Sequence, residues 1–318
     1  EIKNKFGDDC SISFDLAINS DVPLGSGLSS SAAIEVAVAT FIECILQKDP
    51  ESGLDLVLGG KTHKAVLCQR AENVFCNSPC GIMDQYVSSV ASSGSAILID
   101  CRSLEYESVQ MGEGAADDES EKPVFVICNS NVKHSIGGGE YPIRVKQCAE
   151  ATKSLQGICG GKIVSLRDAT IAEVETARKK HKDGEALMDD LTYRRAKHVV
   201  TENERTQKAK EALVKSNWKE FGRLMNESHE SMKSDYEVSC EEIDILVDLA
   251  QNFDGVFGSR LTGGGFGGCT VTLVEPSRVK ALCAYLKSEY SARTGGKECI
   301  CYETSPGPGA REILLHQN

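Results

Sequence analysis

A glycine- and serine-rich loop that runs directly into an apolar helix is the feature that most constrains this 318-residue chain. Residues 21–33 read Asp-Val-Pro-Leu-Gly-Ser-Gly-Leu-Ser-Ser-Ser-Ala-Ala, and the apolar residues that follow predict a helix over 32–46. The first turn of a helix carries unpaired backbone N–H groups at the positive end of the helix dipole. Because glycines let an anion approach the backbone closely, this junction predicts a phosphate site.

Two familiar phosphate loops do not describe the junction. A Walker loop requires Gly-Lys-Ser/Thr, and no lysine lies between Pro23 and Phe41. The dinucleotide fingerprint requires a third glycine where Ser30 stands. A literal match to that fingerprint occurs later, within residues 263–268, but it precedes a strand-like run rather than a helix. The alternative is a plain serine N-cap, which rarely needs two glycines and three serines together.

The charge balance limits the partners that the chain can have. It carries 47 acidic and 35 basic side chains, a formal net charge of −12, which argues against a nucleic-acid partner. No apolar run reaches membrane-spanning length and no secretory segment opens the sequence, so we expect no membrane partner and a cytoplasmic location. The fourteen cysteines include no Cys-x-x-Cys pair, and several lie in apolar runs. This pattern favours reduced cysteines that act as small hydrophobes over a disulfide or zinc framework.

The order of the predicted elements indicates an α+β protein of two lobes with a cleft between them. An acidic, low-complexity segment at 111–122 is predicted to be a surface loop or connection between two lobes. The first lobe would be 1–122 and the second 123–318. The first lobe and the start of the second alternate strand and helix, whereas 140–254 is mostly helical. Strands are predicted at 11–18, 96–99, 124–128, 269–274 and 298–303, and helices near 32–46, 61–76, from Met83 onward, and at 277–290.

Glu72 is the first candidate for chemistry. Apolar residues at helical spacing around it predict a buried stripe made of Leu67, Cys68, Ala71, Val74 and Phe75. A carboxylate that faces such a stripe needs a cation, and Mg²⁺ takes a few oxygen ligands together with substrate phosphates. Ser30 and Glu72 would suit that ion. The alternative is a structural ion pair between Glu72 and either Arg70 or Lys64.

Two further candidates come from a helix start and a second glycine loop. Asp84 opens a helix after a Pro-Cys-Gly turn, where the helix dipole stabilises a carboxylate, although a plain helix-start aspartate is the alternative. Residues 262–268 read Thr-Gly-Gly-Gly-Phe-Gly-Gly, and five glycines before a buried strand imply close approach of the backbone to another group. In contrast, the basic residues between Arg194 and His198 are expected to form one solvated helix face.

Taken together, these motifs resemble the galactokinase branch of the GHMP family of small-molecule kinases. The phosphate-loop motif lies at 22–32, and Cys-Gly-Ile-Met-Asp-Gln follows at 80–85. Glu-Tyr-Pro at 140–142, Asp-Tyr-Glu-Val-Ser-Cys at 235–240 and the glycine motif at 261–269 complete the series in the family's order. The resemblance implies a two-lobed GHMP kinase fold. Its N-terminal lobe, here truncated, would resemble ribosomal protein S5 domain 2, and its C-terminal lobe would be ferredoxin-like.

The resemblance also implies roles for individual residues. It places the ATP phosphates on the first loop and Mg²⁺ beside them, and it makes Asp84 the catalytic aspartate next to the sugar hydroxyl. The implied phosphate ligands are Gly25, Gly27, Ser29 and Ser30, the implied Mg²⁺ ligands are Ser30 and Glu72, and the implied sugar contacts are Asp84, Gly81 and Tyr141. The loop that packs against the phosphate loop matches Gly263, Gly264, Gly265 and Gly267.

The reaction implied by the resemblance is ATP-dependent phosphorylation of galactose at its C1 hydroxyl, by a monomer or weak homodimer. The family's N-terminal motif supplies an arginine beside the catalytic aspartate and a Glu-His-x-Asp run that grips galactose, and it has no counterpart within the 318 residues. We therefore expect these residues alone not to phosphorylate galactose. Two other functions stay open: a kinase for N-acetylgalactosamine or another sugar, and a non-catalytic sugar and ATP sensor.

Overall fold

The computed structural model describes residues 14–47, 59–112, 122–132, 140–159, 161–179 and 187–313. Within these ranges, the helices are α1 Ser30–Gln47, α2 Gly60–Arg70, α3 Met83–Val90, α4 Glu140–Cys159, α5 Ile171–Arg178, α6 Asp190–Val214, α7 Trp218–Ser231, α8 Glu241–Gln251 and α9 Val279–Arg293. The strands are β1 Ser95–Ile99, β2 Tyr106–Gln110, β3 Val124–Asn129, β4 Val256–Thr262, β5 Cys269–Val274 and β6 Ile300–Thr304. The expectation of an α+β protein is confirmed.

Two separate antiparallel sheets organise the described chain. In the first, β1 pairs with β2, and Ile97 lies opposite Ser108. In the second, the strand order is β4-β5-β3-β6, so that β3 is central and β4 and β6 are the edges. The apolar face of this second sheet packs on α8 and α9, where Leu246, Leu282 and Leu286 are fully buried. That burial is the main source of stability for the second lobe.

A helical layer lies beside the second sheet. Its core is formed by α4, α5 and α6, through residues such as Leu155, Val174 and Ala196, none of which is exposed. Capping supports the local structure, since the Thr170 hydroxyl accepts a hydrogen bond from the N–H of Glu173 at the start of α5. Among the described helices, none has both the length and the apolar character needed to cross a bilayer.

The predicted strand over 11–18 is wrong for the residues that the structure describes. Residues 14–18 pair with no described strand, and residues 11–13 lie outside the described ranges. Phe14, Leu16 and Ile18 are 44%, 41% and 59% exposed, so their alternation creates no buried face here. Phe14 instead meets Phe41 of α1 edge to face, with the ring centroids 5.2 Å apart. Period-two spacing alone cannot form a strand without a neighbouring backbone to pair with.

The predicted helix over 61–76 does not continue as one α-helix. After α2 ends at Arg70, residues Ala71–Phe75 form a single π-helical turn. A π turn inserts an extra residue per turn and so moves later side chains off the face that α-helical spacing predicts. Val74 and Phe75 are accordingly 73% and 90% exposed, and the apolar stripe expected around Glu72 ends at Cys68. The acidic segment at 113–121 lies outside the described residues.

Candidate functional site

Two glycine loops pack backbone to backbone at the centre of the molecule. The first, residues 25–29, precedes α1, and the second, residues 263–268, joins β4 to β5. A Cβ atom placed on Gly263 would lie 2.8 Å from the carbonyl oxygen of Gly27. One placed on Gly268 would lie 2.7 Å from the carbonyl oxygen of Ser26. The second loop therefore needs its glycines in order to support the first, as the close approach of two backbones requires.

The second loop is fixed by backbone hydrogen bonds to its surroundings. The N–H of Phe266 donates to the carbonyl of Val238 over 2.6 Å, and the N–H of Gly268 donates to the carbonyl of Val132 over 3.0 Å. The buried Ser130 hydroxyl donates to the carbonyl of Gly268 over 2.8 Å. Gly265 has a φ of +88°, and a Cβ atom there would lie 2.1 Å from the Val238 carbonyl oxygen. These contacts make the position of the loop depend on residue 238.

The segment before Val238 is held by two arginines of the helical layer. The Arg144 guanidinium donates to the carbonyls of Tyr236 and Glu237 over 2.8 and 2.6 Å. Arg195 donates to the carbonyl of Asp235 over 2.6 Å and to the Glu237 carboxylate over 2.6 Å. The expectation of a solvated basic face on α6 is wrong, because Arg195 is 1% exposed. His198 is buried too, and its burial lowers the pKa of the imidazole to about 4.

Asp84 lies where α3 begins, against the end of the first glycine loop. The Ser29 hydroxyl lies beside the Asp84 carboxylate and acts to lower its pKa. Ser29 has a φ of +59°, a left-handed conformation that is uncommon for serine, and Ser30 is the first residue of α1. The predicted phosphate loop and the predicted catalytic aspartate therefore lie next to each other.

Glu72 is linked to the same region by a hydrogen bond from Gln85, the residue after Asp84. The Gln85 side-chain amide is fully buried and donates to the Glu72 carboxylate over 2.6 Å and to the Glu35 carboxylate over 3.3 Å. The Gln85 Oε1 atom is buried without a hydrogen-bond partner among the described residues. One amide thus bridges two carboxylates, from α1 and from the π turn.

The three carboxylates of this cluster, Glu35, Glu72 and Asp84, affect one another's ionisation. Burial and the charge of Glu72 raise the pKa of Asp84, against the opposing effect of the Ser29 hydroxyl. Burial and the charge of Glu72 likewise raise the pKa of Glu35, while its hydrogen bond to Gln85 lowers it. In the described part of the chain, none of the three forms a salt bridge with lysine or arginine. Like charges gathered in this way are stabilised by a bound cation.

The ion-pair alternative for Glu72 does not apply to Lys64. The Lys64 ammonium group instead lies 2.8 Å from the Glu43 carboxylate, and both side chains are at least 90% buried. This buried pair joins α1 to α2 and leaves the Glu72 carboxylate with the hydrogen bonds from Gln85 and from the Cys80 thiol.

The remaining candidates for sugar contact border this cluster. Gly81 is exposed in the turn before α3, and a Cβ atom there would meet nothing within 4 Å. Tyr141, at the start of α4, is half exposed. Burial raises the pKa of its phenol, and the Cys80 thiol in the turn before Asp84 acts in the same direction. Gly25 and Gly27 have φ values of +69° and +76° and leave the first loop without side chains at those positions.

Glu35 and Gln85 were not among the site residues predicted from the sequence. A signal for Glu35 was present, because it is the only charged residue between Ser30 and Phe41 in an otherwise apolar and small-residue helix. A charge in such a run needs a partner or a ligand. Gln85 gave no comparable signal, since its role depends on the π turn that brings Glu72 toward it.

Comparison with known proteins identifies related sequences over both halves of the chain. Residues 1–92 match the family described as GHMP kinases N terminal domain, and residues 209–292 match GHMP kinases C terminal. The chain is 45% identical over 277 residues to a galactokinase from Bos taurus, covering 87% of this chain and 63% of that protein. It is 43% identical over 302 residues to a galactokinase from Homo sapiens, covering 95% of this chain and 68% of that protein.

A solved structure shares the architecture. The crystal structure of Lactococcus lactis galactokinase complexed with galactose superimposes with a TM-score of 0.78 at 32% identity. The match covers 92% of this chain and 69% of that one. A mevalonate kinase from L. major, at 17% identity and a TM-score of 0.53, shares the fold. The chain spans less than two thirds of the length of the Bos taurus and Canis lupus familiaris galactokinases.

Proposed function

Because the chain belongs to the galactokinase family and has the two-lobed GHMP kinase fold, we propose that its protein phosphorylates galactose with ATP, at the C1 hydroxyl. The observation that carries the proposal is that Ser29 of the first glycine loop lies beside Asp84. This brings an anion-binding loop together with a carboxylate that can accept a proton, and phosphoryl transfer to an alcohol needs both within one site. We also propose that the lobes 1–122 and 123–318 are the functional units on either side of this site.

The first glycine loop is proposed to bind the phosphates of ATP. Its glycines present backbone rather than side chains, and the free N–H groups at the start of α1 point to the same place. Support for this role comes from the second glycine loop, which packs against the carbonyls of Ser26 and Gly27. A loop held in this way keeps its donors oriented before the substrate arrives, so less reorganisation is needed during the reaction.

The carboxylate cluster fits Mg²⁺. Three carboxylates lie close together there, and a bound cation would offset the repulsion between their charges. A cation would also give the buried Oε1 atom of Gln85, which has no hydrogen-bond partner among the described residues, a favourable neighbour. We propose Ser30 and Glu72 as ligands, with Glu35 as a further carboxylate beside them. Bound there, Mg²⁺ would neutralise charge on the transferred phosphoryl group. Gln85 orients Glu72 and Glu35 by donating to both.

Asp84 is proposed to accept the proton of the sugar hydroxyl. An ordinary aspartate, with a pKa of about 4, is a weak base for an alcohol. Burial and the charge of Glu72 raise the pKa of Asp84, which makes it a stronger proton acceptor, and the Ser29 hydroxyl lies beside it. Gly81 leaves the adjacent turn open, and Tyr141 borders it, so both are proposed to contact the sugar.

The assignment of Asp84 can be tested by Asp84→Ala in the full natural protein. We expect turnover to fall by about 10² or more, as for the loss of a positioned base, with the measurement being formation of galactose 1-phosphate. Binding of ATP, followed by isothermal titration calorimetry, should change little. Turnover close to that of the unmodified protein would refute the role of Asp84.

The choice of sugar is tested separately. The structural relative that superimposes with a TM-score of 0.78 is a galactokinase bound to galactose, and this favours galactose over N-acetylgalactosamine. Equal amounts of the two sugars in one reaction, with the phosphorylated products separated by mass, would measure the preference directly. Preferential phosphorylation of N-acetylgalactosamine would replace galactose in the proposal.

A reducing compartment such as the cytosol is proposed as the site of action. The structure describes thirteen cysteines, and all thirteen are free thiols. Disulfides persist in oxidising compartments, so a chain with this many unpaired cysteines suits a reducing one.

A further inference from the structure

Four cysteines from three separate parts of the chain come together near one edge of the second sheet. Cys128 lies on β3, and Cys301 lies directly opposite it on the edge strand β6. Their sulfur atoms are 3.5 Å apart. The Cys299 sulfur lies within 4.8 Å of both, and Cys283 on α9 packs against the same core. The cysteine cluster is thus Cys128, Cys283, Cys299 and Cys301.

The sheet creates this cluster in a way that sequence spacing does not reveal. Cys299 and Cys301 are two residues apart, and side chains at that spacing on an extended chain share one face. Residues directly opposite on paired strands share a face as well, which adds Cys128. The helix α9 packs on that face, and Cys283 lies among its partly buried residues. A search for Cys-x-x-Cys pairs could not have found this arrangement.

The distances in the cluster match those of a metal site. The sulfur atoms of Cys128, Cys299 and Cys301 all lie within 4.8 Å of one another. Tetrahedral zinc with Zn–S bonds of about 2.3 Å places its sulfurs about 3.8 Å apart, so only small side-chain movements are required. Cys283 lies outside this 4.8 Å set, so a Cys₄ site, the composition of closed structural zinc sites, requires its side chain to move toward the other three.

A buried hydroxyl next to the cluster supports the same conclusion. Thr270 on β5 lies directly opposite Cys128, on the side away from β6. Thr270 is 1% exposed, and its hydroxyl has no hydrogen-bond partner among the described residues. A buried hydroxyl without a partner is costly, whereas a metal-bound thiolate accepts such a hydrogen bond readily.

We propose that Cys128, Cys283, Cys299 and Cys301 bind a thiophilic divalent metal ion, Zn²⁺, with Thr270 supporting the Cys128 sulfur. The site lies at the edge strand β6, and Cys301 on that strand is partly exposed, so an ion can reach it from the sheet edge. The ion would tie β3, β6 and α9 together in the second lobe. This site is distinct from the glycine loops and the carboxylate cluster, and its role is structural.

The test uses residues 1–318, reduced and stripped of metal, titrated with Co²⁺ as a spectroscopic substitute for Zn²⁺. We expect a thiolate-to-cobalt charge-transfer band and strong tetrahedral visible bands that saturate at one ion per chain and disappear when Zn²⁺ is added. Cys301→Ser should weaken Co²⁺ binding by at least about 100-fold, since loss of a supporting residue alone costs 10–100-fold. Cys101→Ser, which removes an exposed thiol elsewhere, is the matched control and should bind normally.

Two further measurements keep the proposal testable if Cys301→Ser folds poorly. Zn²⁺ should protect Cys301 and Cys283 of the unmodified chain from alkylation, but leave the exposed Cys76 and Cys101 reactive. Thr270→Val should weaken Co²⁺ binding by about 10-fold without lowering the unfolding temperature, because the hydroxyl has no partner in the metal-free protein. Spectra without a thiolate band, or a band unchanged in Cys301→Ser, would overturn the proposal.

Discussion

The buried side-chain amide of Gln85 donates a hydrogen bond to the carboxylate of Glu72 over 2.6 Å. The same amide donates to Glu35, so one side chain orients two carboxylates that belong to different elements. Asp84, the preceding residue, lies against Ser29 of the first glycine loop. Adjacent residues of α3 therefore connect the proposed base to the proposed metal ligands, which makes this helix start the organising point of the site.

Gln85→Leu should weaken Mg²⁺ binding while the fold persists. Without the amide, Glu72 and Glu35 lose the donor that positions them and their mutual repulsion is no longer relieved. We expect Mg²⁺ affinity, measured in the presence of ATP by isothermal titration calorimetry, to fall by about 10–100-fold. Gln156→Leu is the matched control, since Gln156 donates only to the Ile163 carbonyl in the helical layer. Equal Mg²⁺ affinity in the two variants would show that Gln85 does not support the ligands.

Asp84→Asn should stabilise the metal-free protein near neutral pH. Because the pKa of Asp84 is raised in the fold, its contribution to stability is present at acid pH and is lost as the pH rises through that raised value. The ionised carboxylate consequently destabilises the fold at pH 7, and asparagine removes the charge with almost no change in size. We expect a rise in the unfolding temperature of a few degrees at pH 7 and convergence of the two proteins at low pH.

Asp100→Asn is the contrasting variant for that experiment. Hydrogen bonds from Arg167, and from the backbone of Arg102 and Ser103, hold the pKa of Asp100 well below its usual range. Its stabilising contribution is present at neutral pH and is lost as the pH falls, so this substitution should lower the unfolding temperature at pH 7. If Asp84→Asn also lowers it, the like-charge account of the carboxylate cluster is wrong.

Two crossed arginine–aspartate pairs should make the contact between the β1–β2 turn and the helical layer sensitive to acid. The Arg102 guanidinium binds both carboxylate oxygens of Asp168 over 2.8 and 2.9 Å, and Arg167 binds both oxygens of Asp100 over 2.7 Å. Each pair holds the pKa of its aspartate low, so the stabilisation is present above the ordinary aspartate pKa and is lost as the pH falls through the lowered one.

Arg102→Ala should therefore lower the unfolding temperature more at pH 7 than at pH 2. Thermal unfolding followed by circular dichroism at the two pH values measures both. Lys146→Ala, which removes a single exposed pair with Glu150 at 3.9 Å, is the control and should change neither temperature measurably. An effect of Arg102→Ala that is equal at both pH values would mean that packing, not charge, carries the contact.

Much of the fold could be predicted from apolar periodicity. Two strands, β2 and β4, were not predicted, and the structure shows why. The strand β4, Val256–Thr262, contains Gly258 and Arg260, which break the apolar alternation. Gly258 is required because α7 lies so close that a Cβ atom there would be 2.2 Å from the Gly222 carbonyl oxygen. That requirement comes from a helix over thirty positions earlier in the chain. The strand β2 has one buried residue, Val109, and so carries almost no alternation to detect.

The candidate site was predictable where it depends on local sequence and not where it depends on packing. The first glycine loop follows from backbone dipoles at a helix start, which neighbouring residues determine. For Asp84, local sequence left a plain helix-start aspartate as the alternative, and its catalytic role was implied by the family resemblance. Glu72 was singled out by an apolar stripe that the π turn breaks, although the residue still lies in the cluster. Glu35 and Gln85 reach that cluster from α1 and α3, and their meeting is a property of the tertiary structure.

Gly265→Ala should destabilise the second glycine loop far more than Gly264→Ala does. Gly265 has a φ of +88°, and an added Cβ atom would lie 2.1 Å from the Val238 carbonyl oxygen, a contact that the loop cannot keep. At Gly264 the same atom would meet nothing within 4 Å. We expect Gly265→Ala to lower the free energy of unfolding by about 2–4 kcal/mol, from the left-handed backbone and the clash together. Gly264→Ala should change it by about 0.5 kcal/mol or less.

Since the second loop supports the first, the same pair of variants tests that support. Gly265→Ala should weaken ATP binding, measured by isothermal titration calorimetry at a temperature where both variants are folded, and Gly264→Ala should not. The displaced loop would no longer pack against the carbonyls of Ser26 and Gly27, so the phosphate-binding backbone would lose its fixed position. If the Gly265→Ala variant is destabilised but binds ATP with unchanged affinity, the second loop contributes to folding and does not support the phosphate-binding loop.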